Sequence, residues 1–136
     1  MTYKTIQFGE HITIDGYNGD ENLLNNKETI SSFFLELPKK LGMKILTEPL
    51  VVSAPDNGLK DPGGWAGFVI IAESHISIHT FPKRGFVSAD IYTCKNGMDA
   101  QIIIDYFKNA FKLTDIETNF IKRGTRYPLE NLDGRV

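Results

Sequence analysis

Residues 65–93 read WAGFVIIAESHISIHTFPKRGFVSADIYT, and this stretch decides the fold. It begins with Trp65–Ala72, a nearly continuous apolar run that is typical of a strand covered on both faces. In His75–Phe81 polar and apolar residues alternate, which predicts a strand with one face in the core. After a turn at Pro82–Gly85, Phe86–Thr93 is the third predicted strand. Because consecutive strands with short connections are usually neighbours, we expect all three side by side in one sheet.

Two helices are predicted, one on each side of this stretch. On the N-terminal side, large apolar residues follow the spacing of one helical face: Ile30, Phe33, Phe34, Leu37 and Leu41. Pro38 lies inside that pattern and is expected to kink the helix or to end it early, and Gly42 is expected to terminate it. On the C-terminal side, Met98–Lys112 is predicted to be an amphipathic helix whose buried side consists of Ala100, Ile103, Phe107, Ala110 and Phe111.

Three further strands complete the pattern, at Glu10–Asp15, Lys44–Ser53 and Asp115–Lys122. Pro49 interrupts the second of these, which indicates an edge strand or a bulge. The stretch Ala54–Gly64 is dense in turn-forming residues and is expected to be a loop, of a length that often carries function. The resulting order, β, α, β, β, β, β, α, β, predicts an α+β fold. We expect a two-layer sandwich in which an antiparallel sheet has two helices packed on one face.

Length and composition limit the classes of function. The chain has 136 residues and a mass of 15.3 kDa, which fits one domain spanning residues 1–136. A net charge of −2 argues against a nucleic-acid binder that relies on a large basic surface. No apolar run approaches the roughly 18–20 residues of a membrane span, and the first nine residues do not resemble a secretory signal. Cys94 is the only cysteine and has no partner for an internal disulfide, so we expect a cytoplasmic protein without a membrane or nucleic-acid partner.

Reactive side chains are densest in residues 73–80 and at Cys94, on two consecutive predicted strands. On composition alone, the polar residues of the first strand could simply form its solvated face. A cysteine–histidine nucleophile pair would use the Cys94 thiolate, with His79 as its base. A metal site that includes His11, His75 and His79 is disfavoured, because strand residues four apart lie about 13 Å from each other. We therefore predict no metal site.

A family resemblance lies in the same segment. The strings ESHISIHT at residues 73–80, FP at 81–82 and ADIYTC at 89–94 resemble the self-processing segment of the bacterial and archaeal S-adenosylmethionine decarboxylases. The order of elements is similar as well, including a glycine two residues before His11 at the start of the first strand, and the resemblance spans residues 8–123. It implies an inactive proenzyme that makes a pyruvoyl cofactor from one of its own serines. It also implies a homodimer with active sites at or near the subunit contact.

The resemblance assigns the cleavage to one peptide bond. Ser74 would attack the carbonyl of Glu73, and the chain would split between these two residues. A β chain of residues 1–73 and an α chain of residues 74–136 would result. Ser74 would become the pyruvoyl group, which forms a Schiff base with the substrate and accepts electrons during decarboxylation.

Two further residues match functional positions of the family. His79 matches the histidine that assists proton movement during processing, a step for which an imidazole is chemically suited. Cys94 matches the acid that protonates the substrate carbon after carbon dioxide has left. The resemblance thus implies a lyase of polyamine and spermidine biosynthesis, with S-adenosylmethionine as its small-molecule substrate.

The sequence departs from the family pattern near these residues. Lys83 occupies the position of a glutamate that binds the substrate's ribose hydroxyls, and a lysine only donates where a carboxylate would accept. An arginine or ornithine decarboxylase of the same family is therefore one alternative, in which Asp56 and Asp61 could bind the cationic group. Ala66 replaces a serine linked to processing, which makes an unprocessed, non-catalytic regulatory homologue a second alternative. Trp65 could stack on an aromatic ligand, or pack in the core or in an interface.

Overall fold

The chain folds into a sheet with helices on one side, as seen in a computed structural model that describes residues 7–128. Residues 1–6 and 129–136 of the predicted domain lie outside the described residues. Within 7–128, seven antiparallel strands form the sheet: β1 (Gly9–Tyr17), β2 (Lys44–Ile45), β3 (Leu50–Ala54), β4 (Gly64–Ala72), β5 (Ser74–Phe81), β6 (Phe86–Thr93) and β7 (Asp115–Arg123). The helices there are α1 (Glu21–Leu24), α2 (Lys27–Lys40) and α3 (Ala100–Phe111). The predicted α+β sandwich is confirmed.

The three strands of the deciding stretch lie next to each other inside the sheet. The strand order is β2–β4–β5–β6–β1–β7, and β3 pairs with β4 as well. Glu73 is the single residue between β4 and β5, and a 3₁₀ turn at Pro82–Arg84 joins β5 to β6. Such short connections permit only antiparallel pairing, so the chain path itself aligns β5 with both neighbours.

The two long helices cover one face of the sheet and build the core. Large apolar side chains of α2 and α3 are fully buried there: Ile30, Phe33, Phe34, Leu37, Ile103, Phe107 and Phe111. They belong to the same cluster as Ile76 and Ile78, which are the apolar positions of the alternating strand β5. The opposite face carries the alternate strand residues and is called the helix-free face below; it includes His11, His75, Ser77, His79, Ser88 and Asp90.

The prediction of one strand over Lys44–Ser53 is wrong. The structure has two short strands, β2 and β3, which pair with the two ends of β4 along the same edge. Proline lacks the N–H that a ladder needs, and the chain leaves the sheet before Pro49. In this gap the backbone N–H of Leu46 still donates to the carbonyl of Ile70 at 2.9 Å.

The helix ends also differ in detail from the prediction. The short helix α1 was not predicted; the Asp20 side chain caps it by accepting from the N–H of Leu23. Helix α2 continues two residues beyond Pro38, because a proline in the last turn removes only one hydrogen bond of the ladder. Gly42 follows with φ of 69°, as expected for a helix-terminating glycine.

Candidate active site

Glu73 and Ser74 form the turn between β4 and β5, at one end of the sheet. Ser74 has φ of 115°, a conformation that costs a non-glycine residue on the order of 1–3 kcal/mol. Across the sheet Ser74 pairs with Thr93, the residue before Cys94. The backbone N–H of Cys94 donates to the carbonyl oxygen of Glu73 at 3.3 Å. The predicted cleavage junction and the predicted proton donor are therefore in direct contact.

The Cys94 thiol lies against the Glu73 side chain. Its sulfur donates to a carboxylate oxygen of Glu73 at 2.5 Å. Burial, the hydrogen bond to Glu73 and the charge of that carboxylate together raise the pKa of Cys94 to about 11, with burial the largest cause. A thiol with this pKa keeps its proton at neutral pH. The geometry thus favours a proton donor over a thiolate nucleophile at this position.

His79 lies towards the other end of β5, away from the junction. It is five positions after Ser74 on the same strand, which corresponds to about 16 Å at the rise of an extended strand. Its ring is on the helix-free face and stacks on Phe81, with centroids 4.2 Å apart. Atom Nε2 is 3.2 Å from a carboxylate oxygen of Asp61. Within one chain, the structure does not bring His79 to the Glu73–Ser74 bond.

The remaining predicted site residues lie apart from the junction. Trp65 faces the helices, because its indole N–H donates to the carbonyl of Asn25 at 3.0 Å. Lys83 is exposed in the 3₁₀ turn after β5. Asp56 accepts from the N–H of Gly58 within its own loop, so this carboxylate serves the loop's turn.

A polar network on the helix-free face was not predicted from the sequence. Asp90 is its centre: one carboxylate oxygen contacts His11 at 2.8 Å and His75 at 3.5 Å. The other oxygen accepts from the Ser77 hydroxyl. Arg123 contacts the second ring nitrogen of His11 at 2.8 Å. These residues come from β1, β5, β6 and β7, and their polar positions in the strand alternation are the signal that could have indicated the network.

A cavity of about 620 Å³ opens on the helix-free face beside this network. Its polar lining includes His79 and Asp90, and its apolar lining includes Leu50, Val52 and Phe68. Among residues 7–128, no three His, Cys, Asp or Glu side chains are grouped so that they could hold a metal ion. No helix in the same range has the length and apolar character to cross a membrane.

Comparisons with known proteins agree with this architecture. Residues 10–124 match the family model described as S-adenosylmethionine decarboxylase. The chain is 33% identical over 116 residues to the S-adenosylmethionine decarboxylase proenzyme of Pyrococcus horikoshii, a match that covers 85% of this chain and 78% of the relative. The proenzyme of the same name from Brevibacillus brevis is 35% identical over 112 residues, covering 82% and 77%. The crystal structure of the adenosylmethionine decarboxylase from Aquifex aeolicus aligns with a TM-score of 0.73 and 29% identity, over 89% of this chain and 92% of that one.

The fold and these relatives define the class as a decarboxylase, a lyase that breaks a carbon–carbon bond. The chain belongs to the S-adenosylmethionine decarboxylase family. The family identification made from residues 73–94 is thereby confirmed.

Proposed function

We propose that this chain is a proenzyme that splits itself between Glu73 and Ser74 and then, with a pyruvoyl group, decarboxylates S-adenosylmethionine in the cytoplasm for polyamine synthesis. The observation that carries the proposal is the contact between the junction and Cys94. The N–H of Cys94 donates to the carbonyl of Glu73, and the thiol lies beside the same residue. One residue thus polarises the bond to be split and supplies a protonated acid.

Self-processing uses groups that the chain already holds. The Ser74 hydroxyl adds to the carbonyl carbon of Glu73, the C–N bond breaks, and the amine takes up the hydroxyl proton to leave an ester. The N–H of Cys94 favours this addition, because negative charge develops on the oxygen that it contacts at 3.3 Å. A base then removes the α-proton of Ser74, and the Cβ–O bond breaks to release the Glu73 carboxylate. Water then hydrolyses the resulting dehydroalanine. Its nitrogen leaves as ammonia, and the oxygen of water takes its place as a ketone.

The residues at the junction fit a pyruvoyl group. Ser74 begins a strand directly after a one-residue turn, so a new chain end at this residue can separate from Glu73. When bound in place, the group supplies an electron-accepting ketone for decarboxylation. Cys94 lies beside the junction and holds the proton that the substrate carbon then needs, because a thiol with an ordinary pKa of about 8.5 is already mostly protonated at neutral pH.

A second copy of the chain supplies His79, and we propose a homodimer on this ground. About 16 Å of strand separates His79 from Ser74 in one chain, too far for direct proton transfer. The helix-free face, which carries His79, exposes apolar side chains at Leu50, Phe68 and Ile70. An exposed apolar patch of this kind marks an association surface. Packing two such faces together would bring the His79 end of one chain towards the Ser74 end of the other.

Mixed dimers test this arrangement. Co-expressed His79→Ala and Ser74→Ala chains each lack one group, but a mixed dimer joins the intact Ser74 of one chain to the intact His79 of the other. We expect the His79→Ala chain to split in the mixture and not alone, as read by intact mass. If it remains uncut in the mixture although mixed dimers form, the shared site is refuted.

The substrate is tested by direct comparison. We expect carbon dioxide release from carboxyl-labelled S-adenosylmethionine to exceed release from arginine or ornithine. The exposed cation of Lys83 argues against S-adenosylmethionine, because it cannot accept hydrogen bonds from ribose hydroxyls, and this makes an arginine or ornithine decarboxylase the second candidate. The Lys83→Glu variant restores an acceptor and should lower the KM for S-adenosylmethionine. Faster release from arginine or ornithine by the unmodified chain would favour the second candidate.

A further inference from the structure

His79 lies in surroundings that leave one of its nitrogens without a hydrogen bond. Phe81 stacks on the ring with an interplanar angle of 18°, which fixes the ring plane. The cross-strand neighbours of His79 are Ala66 on β4 and Ser88 on β6. Ala66 has no polar side-chain atom. Nε2 is buried and has no hydrogen-bond partner among the described residues.

The loop between β3 and β4 brings one carboxylate to this nitrogen. Asp61 Oδ2 lies 3.2 Å from Nε2, and the Asp61 side chain is only 18% exposed. The N–H direction misses the oxygen, so the contact is one of charge and proximity rather than a hydrogen bond. The attraction between this partly buried carboxylate and the ring is strongest when the ring is positively charged.

Asp61 is held firmly in its loop. Its other carboxylate oxygen accepts from the N–H of Gly63 at 2.8 Å. Its backbone carbonyl accepts from the N–H of Asn57 at 3.0 Å, and its own N–H donates to the Asn57 side chain at 3.2 Å. These three bonds set the position of the carboxylate before any proton moves, as a positioning group requires.

The loop is also tied to the strand that carries His79. A Cβ on Gly64 would lie 2.0 Å from the carbonyl oxygen of Thr80, the residue after His79. Only glycine permits this close approach, so the end of the loop is fixed against β5. The Asp61–His79 contact therefore follows from the backbone path.

We infer that Asp61 is a positioning residue for His79 in self-processing, an inference that rests on the proposed function. The carboxylate favours the ring tautomer with its proton on Nε2, which leaves Nδ1 to accept the α-proton from Ser74 of the partner subunit. Once the ring has accepted that proton, the negative charge of Asp61 stabilises it. Ala66 on the neighbouring strand cannot be a polar partner for His79, and Asp61 takes this role instead.

The test measures the rate at which freshly translated chain splits, by a denaturing gel over time. Asp61→Asn keeps the oxygen that accepts from Gly63 and removes only the charge. We expect it to slow splitting roughly 10–100-fold, a part of the 10²–10⁴-fold that a positioned acid–base side chain contributes to a rate. Asp56→Asn is the matched control, because it removes one charge from the same loop, keeps the bond to Gly58, and lies outside the contacts of His79. It should split at the wild-type rate.

A rescue variant separates the positioning role from a folding defect. Ala66 and His79 are directly paired, so their Cβ atoms are about 5 Å apart and a serine hydroxyl at residue 66 can reach the ring. Ala66→Ser added to Asp61→Asn should restore most of the lost rate, which a misfolded chain would not show.

Several results would overturn the inference. Asp61→Asn splitting at the wild-type rate would do so, as would equal slowing by Asp56→Asn or a failure of Ala66→Ser to rescue. If Asp61→Asn splits at the wild-type rate but releases less carbon dioxide per pyruvoyl group, Asp61 acts in substrate binding instead. If the wild-type chain itself never splits, the proposed function fails, an outcome that these variants distinguish from failure at Asp61 alone.

Discussion

The substitution Glu73→Gln tests the electrostatic environment of Cys94. The pKa of Cys94 is raised from 9.0 to about 11, first by burial and then by the hydrogen bond and charge of Glu73. Glutamine keeps the size of the side chain and removes the charge, whereas burial remains. We therefore expect the pKa of Cys94 in the variant to fall below 11 and to stay above 9.0.

The expected change in the alkylation rate follows from the fraction of Cys94 that is present as thiolate. Alkylating reagents react with the thiolate, and each pKa unit changes its fraction tenfold well below the pKa. A rise of the pKa from 9.0 to about 11 therefore predicts roughly 100-fold slower alkylation at pH 8 than for an unperturbed thiol. Glu73→Gln should recover part of that factor and not all of it.

The assay uses chain that stays uncut, so that Glu73 and Cys94 remain in the described arrangement. Ser74→Ala and Ser74→Ala/Glu73→Gln proteins are treated with iodoacetamide across a pH series, and the modified fraction is read by intact mass. Cys94 is the only cysteine, so the added mass reports one site. The same proteins in denaturant give the unperturbed rate. Equal alkylation rates in native and denatured Ser74→Ala protein, or no acceleration by Glu73→Gln, would refute the reasoning.

Three further predictions concern catalysis and stability. Cys94→Ala should split normally, because it keeps the backbone N–H at the junction. Its rate of decarboxylation per pyruvoyl group should fall sharply, and a normal rate would contradict the role of Cys94 as proton donor. Phe33 is fully buried, so Phe33→Ala should lower the free energy of unfolding by about 3–5 kcal/mol in urea titration. Leu35 on the same helix is 52% exposed, so Leu35→Ala should change it by less than about 0.5 kcal/mol. Gly67→Ala should lower the melting temperature, because its Cβ would lie 2.5 Å from the carbonyl oxygen of Leu50; an unchanged melting curve would show that β3 can move away.

Much of the sheet could be predicted because strand alternation is a local property. Ile76 and Ile78 occupy the apolar positions of β5, and both are buried under the helices as their spacing predicted. Pro49 predicts a bulge or an edge strand, and the structure has two separate short strands at the sheet edge there. How far a proline interrupts a strand depends on whether nearby backbone groups still find hydrogen-bond partners. Here the N–H of Leu46 still donates to the carbonyl of Ile70.

The candidate site was predictable only where the chain path fixed it. Cys94 lies beside Glu73 because β5 and β6 are consecutive and joined by a short turn. The contact of Asp61 with His79 depends on the conformation of an irregular loop, which no strand or helix pattern encodes. The network around Asp90 depends on the register of four strands, and polar alternation gives the face of a residue but not its partners.

The most direct test of the account is the intact mass of freshly folded protein together with trapping of a carbonyl group. We predict two fragments, residues 1–73 and residues 74–136, the second of which gains mass with hydroxylamine, and a Ser74→Ala variant that remains whole. A single chain of 15.3 kDa that hydroxylamine does not modify would contradict the account.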